Sequence, residues 1–254
     1  MSDASDEGNM EERTIRVVAK TFDYSKARFM EKEYRVEAKR LTTVLDSLIQ
    51  IKENIDHKLS FRYSCRMGIC GSCAMVINGK PSLACETNLL SVAAEHDTIE
   101  VAPMQGHPLL KDLVTDFDDF FQNHKSIKPW LIYKNEKDRY DNRTETKQSD
   151  KERDEYLPFS ECIKCGLCFD ACPVANTNKE FLGPQALAQA YRYYADSRDD
   201  GKEDRLKEID TLRGVWGCEF SGSCSKVCPK FVDPALAIQI LKGEIAKKTL
   251  QGKM

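Results

Sequence analysis

No stretch of this chain is apolar for long enough to cross a bilayer. Its longest uncharged run, Met67 to Gly79, is thirteen residues with three glycines and two cysteines among them, and a spanning helix needs roughly 20. An excess of one charge is also missing. Lys and Arg number 38 against 41 Asp and Glu, a formal net charge of −3, and without a basic surplus the chain does not read as a nucleic-acid binder. Residues 1–12 are acidic and polar with no apolar core, so no secretory leader or transit peptide is expected there and the segment reads as a disordered tail. Neither G-x-G-x-x-G nor a phosphate loop occurs. Histidine is sparse, at four residues. What is plentiful is cysteine, at eleven. An odd count suits a disulfide framework poorly, so a reducing compartment and a soluble or peripheral protein are expected.

The cysteines fall into three groups, and the last two share one pattern. Cys162, Cys165, Cys168 and Cys172, followed by Pro173, form C-x2-C-x2-C-x3-C-P. Cys218, Ser221, Cys224 and Cys228, followed by Pro229, repeat it with serine in place of one cysteine. In two-cluster ferredoxins the last cysteine of each run binds the other run's cluster. That crossing gives Cys162, Cys165, Cys168 and Cys228 to a [4Fe–4S] cluster. It leaves Cys172, Cys218 and Cys224 with a cluster one thiolate short, most simply [3Fe–4S]. The alternatives for Ser221 are an ordinary loop serine or an oxygen at the fourth iron of a cubane.

The first group, Cys65, Cys70, Cys73 and Cys85, has the C-x4-C-x2-C…C spacing of a plant-type [2Fe–2S] centre. Gly68 and Gly71 suit a loop whose backbone must wrap a small anionic cluster. A Rieske centre would require two histidines, but His57, His96, His107 and His124 all lie outside the loop, where surface or core roles are expected. A structural zinc site also takes four cysteines in such pairs. Zinc would strand Cys172, Cys218 and Cys224, whereas a division into four, four and three uses every thiol. No cysteine is left to act as a nucleophile, so no catalytic residue is expected on this chain. It reads as a wire between partners.

Periodicity organises the rest. Thr14–Ala19, Tyr34–Glu37, Ala74–Ile77 and Thr98–Ala102 read as strands, with Asn78-Gly79 a hairpin turn. Thr43–Ile55 has helical spacing, capped by Thr42 or Thr43. The fold class expected is α+β. A β-grasp plant-type ferredoxin domain spans residues 13–106, and an all-α bacterial-ferredoxin-like domain spans 107–254. Leu109–Lys125, Pro184–Asp196, Glu203–Leu212 and Pro234–Lys248 read as helices, the last either docking on a partner or covering the clusters. Residues 134–156 hold almost no apolar side chain and read as a solvated connection. Trp130 and Trp216 are expected to pack.

Taken together, the motifs resemble the iron–sulfur subunits of succinate dehydrogenase and fumarate reductase, respiratory complex II, over about residues 13–245. Ser64–Cys73 is similar to the family's two-iron motif, Glu161–Cys168 to its four-iron motif, and Cys218–Lys230 to its closing run. The resemblance implies a flavoprotein subunit with FAD that interconverts succinate and fumarate. It also implies electron passage through the two-, four- and three-iron clusters to a quinone at the interface with a membrane anchor. The N-terminal domain would face the flavoprotein, and the anchor would hold the chain on the cytoplasmic side of the cell membrane. Succinate–ubiquinone members carry serine after the proline of the third motif and histidine after the next cysteine; here Val174 and Glu219 stand there. Gly183-Pro184 and Tyr191–Asp199 are similar to the fumarate reductase branch, which implies menaquinone. Pro173, Gln239 and Lys242 are the quinone-proximal candidates, with a solvated helix face as the other reading of the last two. Another flavoprotein dehydrogenase or a soluble fumarate reductase would use the same architecture, and a zinc-stabilised interaction module would be the redox-inactive alternative.

Overall fold

The computed structural model describes residues 12–23, 26–93, 96–134 and 145–252. The expected tail, apart from Glu12, lies outside the described residues, as do residues 135–144 of the expected connection. The chain divides into two compact units. One runs to Pro103 and takes in Leu110–Val114, and the other comprises Met104–Leu109 and everything from Thr115.

The first unit is a five-stranded mixed sheet with one main helix. Strands β1 (Arg13–Asp23), β2 (Arg28–Ala38), β3 (Ala74–Ile77), β4 (Lys80–Leu83) and β5 (Thr98–Ala102) are ordered β2-β1-β5-β3-β4. β1 pairs antiparallel with β2 along its whole length, from Arg13 opposite Ala38 to Asp23 opposite Arg28. It pairs parallel with β5. Alternation fixes the register: Tyr34, Val36 and Ala38 are buried while Arg35 and Glu37 face water. At the β3–β4 turn Asn78 and Gly79 both have positive φ, 46° and 75°, as the predicted tight hairpin requires. Helix α1 (Val44–Asn54) buries Val44, Leu45, Leu48 and Ile51. Each such side chain contributes about 1.5–3 kcal/mol. Thr43 caps the helix reciprocally with Asp46, a contact worth about 1 kcal/mol. A short helix, α2 (Leu89–Val92), precedes β5.

The region from Leu109 departs from the expected helix. It begins as a hairpin of β6 (Leu109–Lys111) and β7 (Val114–Thr115), and only Asp118–Ser126 is helical (α3). Asp112, at φ 49°, turns the chain back between the two strands, a conformation that Asp tolerates better than most residues.

The second unit is helical. Besides α3 it contains α4 (Asp150–Ser160), α5 (Leu167–Asp170), α6 (Pro173–Thr177), α7 (Gly183–Ala195), α8 (Lys202–Ile209), a 3₁₀ turn at Val215–Gly217, α9 (Ser223–Lys226) and α10 (Pro234–Leu250). α4 corrects the expectation of a solvated connection reaching Tyr156. Ser149 and Glu152 form a capping box, and Tyr156 and Phe159 are buried. Charge density hid a helix that is anchored by only two apolar residues, Leu157 being exposed. α7 is the central element, buried from Gly183 through Tyr191, with its core shared by Phe120, Phe159, Leu206, Ile238 and Leu241.

One fully buried ion pair fastens this unit. Arg205 and Asp199 are both at 0% exposure. Arg205 donates to Asp199, to the carbonyls of Ile127 and Lys128, and to that of Trp130 at 2.6 Å. Asp199 also accepts from the Ile132 and Gly201 amides, at 2.9 and 2.7 Å. Every charge is met, so the pair ties α8 to the 127–132 segment at no orphaned cost.

Candidate iron–sulfur centres

In the first unit the loop ahead of β3 folds its amides onto its own sulfurs. The N–H groups of Met67, Ile69 and Cys70 lie 3.5, 3.3 and 3.3 Å from Cys65 Sγ. The Cys65 amide is 3.4 Å from Cys70 Sγ, and that of Gly68 is 3.3 Å from Cys85 Sγ. Such turns need left-handed backbone, supplied at Arg66, Gly68 and Gly71 with φ of 59°, 70° and 73°. At Gly68 a Cβ would stand 1.8 Å from Glu86 Oε1, the tip of an exposed side chain that can move, so it is the positive φ that favours glycine there. The Arg66 guanidinium lies over the Tyr63 ring at 5.2 Å. Burial opposes ionisation of Cys70, yet hydrogen bonds from Ser72 and Cys65 bring its thiol down to about 6. Burial pushes Cys73 up to about 12.

In the second unit the two cysteine runs interleave. Cys162, Cys165 and Cys168 share a recess with Cys228 from the other run. It holds about 390 Å³ between atoms, part of it open to solvent. Cys172 shares a second recess, of about 300 Å³, with Cys218 and Cys224. Ser221 lines that second recess, and so do Ala235 and Ile238 of α10. α10 therefore covers this site. Burial is the chief influence on these thiols, raising Cys165 to about 12 and Cys224 to about 11, and Cys168 well beyond its usual range. Neighbouring sulfurs add to the effect. Thiolates gathered this way need a bound metal cation to stay ionised. Among the described residues no group of three or more His, Cys, Asp or Glu side chains is drawn together around a single metal position.

Ser221 sits on a loop built like that of Cys165. Lys164 and Phe220 both have φ 56°, and Gly166 and Gly222 follow at 82° and 71°. Each loop then enters a four-residue helix, α5 or α9, closed by matching bonds. Ala171 N–H donates to Leu167 and Cys172 N–H to Phe169, as Val227 does to Ser223 and Cys228 to Ser225.

Lys242 Nζ donates to the Cys218 carbonyl at 2.8 Å and lies 5.9 Å from the Trp216 ring. Gln239, one turn earlier, has a buried Nε2 without a partner. Pro173 is exposed at the start of α6. Trp130 and Trp216 are 47% and 43% exposed rather than packed, and the Trp216 indole donates to Asp210. Two residues went unread in the sequence. Arg205 was hidden in a charged helix. Gln185, 2% exposed, lines the four-cysteine recess, and a polar residue at core spacing with Ala188 was the available sign.

Residues 14–122 match the 2Fe-2S iron-sulfur cluster binding domain family, and residues 158–232 match the 4Fe-4S dicluster domain family. The chain is 43% identical to the fumarate reductase iron-sulfur subunit of Haemophilus influenzae, over 84% of this chain and 86% of that protein. It is 45% identical to the subunit of the same name from Mycobacterium tuberculosis, over 86% and 87%. A chain of the Mycobacterium smegmatis Sdh1 complex in the apo form shares the fold. Its TM-score is 0.82 at 24% identity, covering 94% of this chain and 98% of that one.

Proposed function

The chain belongs to the iron–sulfur subunits of fumarate reductase and succinate dehydrogenase, and from that membership we propose that it carries three clusters for electron transfer to or from a quinone. Cys65, Cys70, Cys73 and Cys85 hold [2Fe–2S]. Cys162, Cys165, Cys168 and Cys228 hold [4Fe–4S], and Cys172, Cys218 and Cys224 hold [3Fe–4S]. The observation that carries this assignment is the crossing of the last cysteine of each run into the other run's recess. When bound, the clusters supply one-electron steps that join a two-electron flavin donor to a quinone.

The chain's own residues tether and tune. Loop amides of residues 65–70 donate to sulfur and favour an anionic centre. Lys242 places an ammonium beside Cys218. Chemistry on succinate and fumarate belongs to an FAD-bearing flavoprotein subunit. A membrane anchor holds the chain on the cytoplasmic side; among the described residues no helix is long and apolar enough to cross a membrane. The quinone is menaquinone, bound near Pro173, Gln239 and Lys242. Val174 and Glu219, at the positions of the ubiquinone-type serine and histidine, support that branch, and the partnerless amide of Gln239 is a donor that a quinone carbonyl of either type would accept.

Metal analysis and electron paramagnetic resonance of the purified complex test this reading. About nine irons per chain are expected, with a reduced two-iron signal and an oxidised three-iron signal. Zinc without iron, or no three-iron signal, overturns the assignment. Higher turnover with ubiquinone than with menaquinone analogues removes the quinone part alone.

A further inference from the structure

Gln185 is buried in the first turn of α7, at the four-cysteine recess. Pro184 before it lines the three-cysteine recess, so this turn touches both sites. Gln185 Nε2 lies 4.0 Å from Cys162 Sγ and 3.2 Å from His124 Nδ1. Its Oε1 is buried with no partner. Burial keeps the His124 ring neutral, bringing its pKa down to about 4, and in the tautomer protonated at Nε2 its Nδ1 accepts from the Gln185 amide. Both amide hydrogens are then engaged, one by imidazole and one by sulfur, while the acceptor is orphaned. Methionine would fill the same space without an orphaned atom, so packing alone does not explain an amide here. Turning the amide over would aim oxygen lone pairs at an anionic sulfur, which electrostatics disfavours. Of the other polar side chains at the recess, Lys164 is exposed to solvent.

We propose that Gln185 is a positioning residue for electron transfer, its amide held by His124 so that it donates to the Cys162 sulfur and raises the reduction potential of the four-iron centre. The inference rests on the cluster assignment above. A donor to a ligand sulfur draws off charge and so favours the reduced, more negative cluster.

The test uses potentiometric titration of the intact complex, followed by electron paramagnetic resonance. Gln185→Met is expected to lower the four-iron potential by at least a tenfold change in the redox equilibrium, about 59 mV for one electron. The other two centres serve as internal references and stay in place. An unchanged four-iron potential, with iron content intact, overturns the proposal. Absence of a four-iron signal from the unmodified complex would instead sink the assignment beneath it. In case Gln185→Met does not assemble, the unmodified complex is grown with glutamine labelled with ¹⁵N at its side-chain amide. A hyperfine coupling from that nitrogen to the reduced four-iron centre supports the proposal, and its absence refutes it.

Discussion

Replacing Arg205 by methionine is expected to destabilise the helical unit by about 3–5 kcal/mol, the usual cost of stranding one partner of a buried ion pair. The lost contacts are specific. The Asp199 side chain, at 0% exposure, loses its cation, and the carbonyls of Ile127 and Trp130 lose their donor, while that of Lys128 keeps the Trp130 amide at 2.8 Å. For a unit near 150 residues each kcal/mol moves the midpoint by about 2–4 °C, so a drop of about 6–20 °C follows. The assay is thermal loss of the cluster's visible absorption in the intact complex, at one fixed heating rate. Many buried pairs can be replaced on both sides by apolar residues with little loss. This one should not be, because Asp199 also serves the amides of Ile132 and Gly201. Arg205→Met combined with Asp199→Leu leaves two amides and the carbonyls of Ile127 and Trp130 unmet, at about 1–3 kcal/mol each where water does not reach them. The double variant is therefore expected to be no more stable than the single one. As a control, Asp204→Ala removes an exposed pair with Lys128, 42% and 58% exposed, worth at most about 1 kcal/mol. A midpoint within about 3 °C of the parent for Arg205→Met, or recovery in the double variant, would refute the reasoning.

Two further outcomes follow. Ser221→Cys is expected to raise iron content from about nine to about ten per chain and to abolish the oxidised three-iron resonance; persistence of that resonance, with the new thiol unmodified, counts against the matched-loop argument. In the sheet unit, burial opposes ionisation of Asp56, yet hydrogen bonds from Lys32 at 3.0 Å, Tyr34 at 2.8 Å and the Lys58 amide at 3.0 Å bring it to about 2. A folded pKa below the unfolded one gives stability that is present above about pH 4 and lost as pH falls through about 2. Discounted for the exposed Lys32, that is about 1–2 kcal/mol. Tyr34→Phe should bring the Asp56 titration upward, followed by carboxyl resonance in the isolated chain, and an unmoved titration would show that the phenol is not a cause.

The way the cysteines of the second unit gather was legible, because cluster chemistry leaves a fixed spacing and the crossing of each run's last cysteine follows from it. α1, β3 and β5 were legible from periodicity and capping, and their observed bounds differ little from the expected ones. α4 was not, since charge outnumbered its two anchors and the Ser149–Glu152 box was the only cue. The Leu109–Thr115 hairpin was misread as helix because an apolar pair followed by Lys and Asp satisfies either period over so short a run. Arg205 and Gln185 were invisible for a deeper reason. Their significance depends on which carbonyls and which sulfur come to meet them, and that is decided by residues 20 to 80 positions away.

The loop around Ser221 keeps its left-handed bends although oxygen has replaced sulfur at its tip. Its bends, at Phe220 and Gly222, match those at Lys164 and Gly166 around Cys165. On the proposed assignment, the nuclearity of the centre nearest the quinone becomes a choice of one atom in one side chain. A protein with that arrangement can reset the voltage of its terminal relay by a single exchange, leaving every helix where it was.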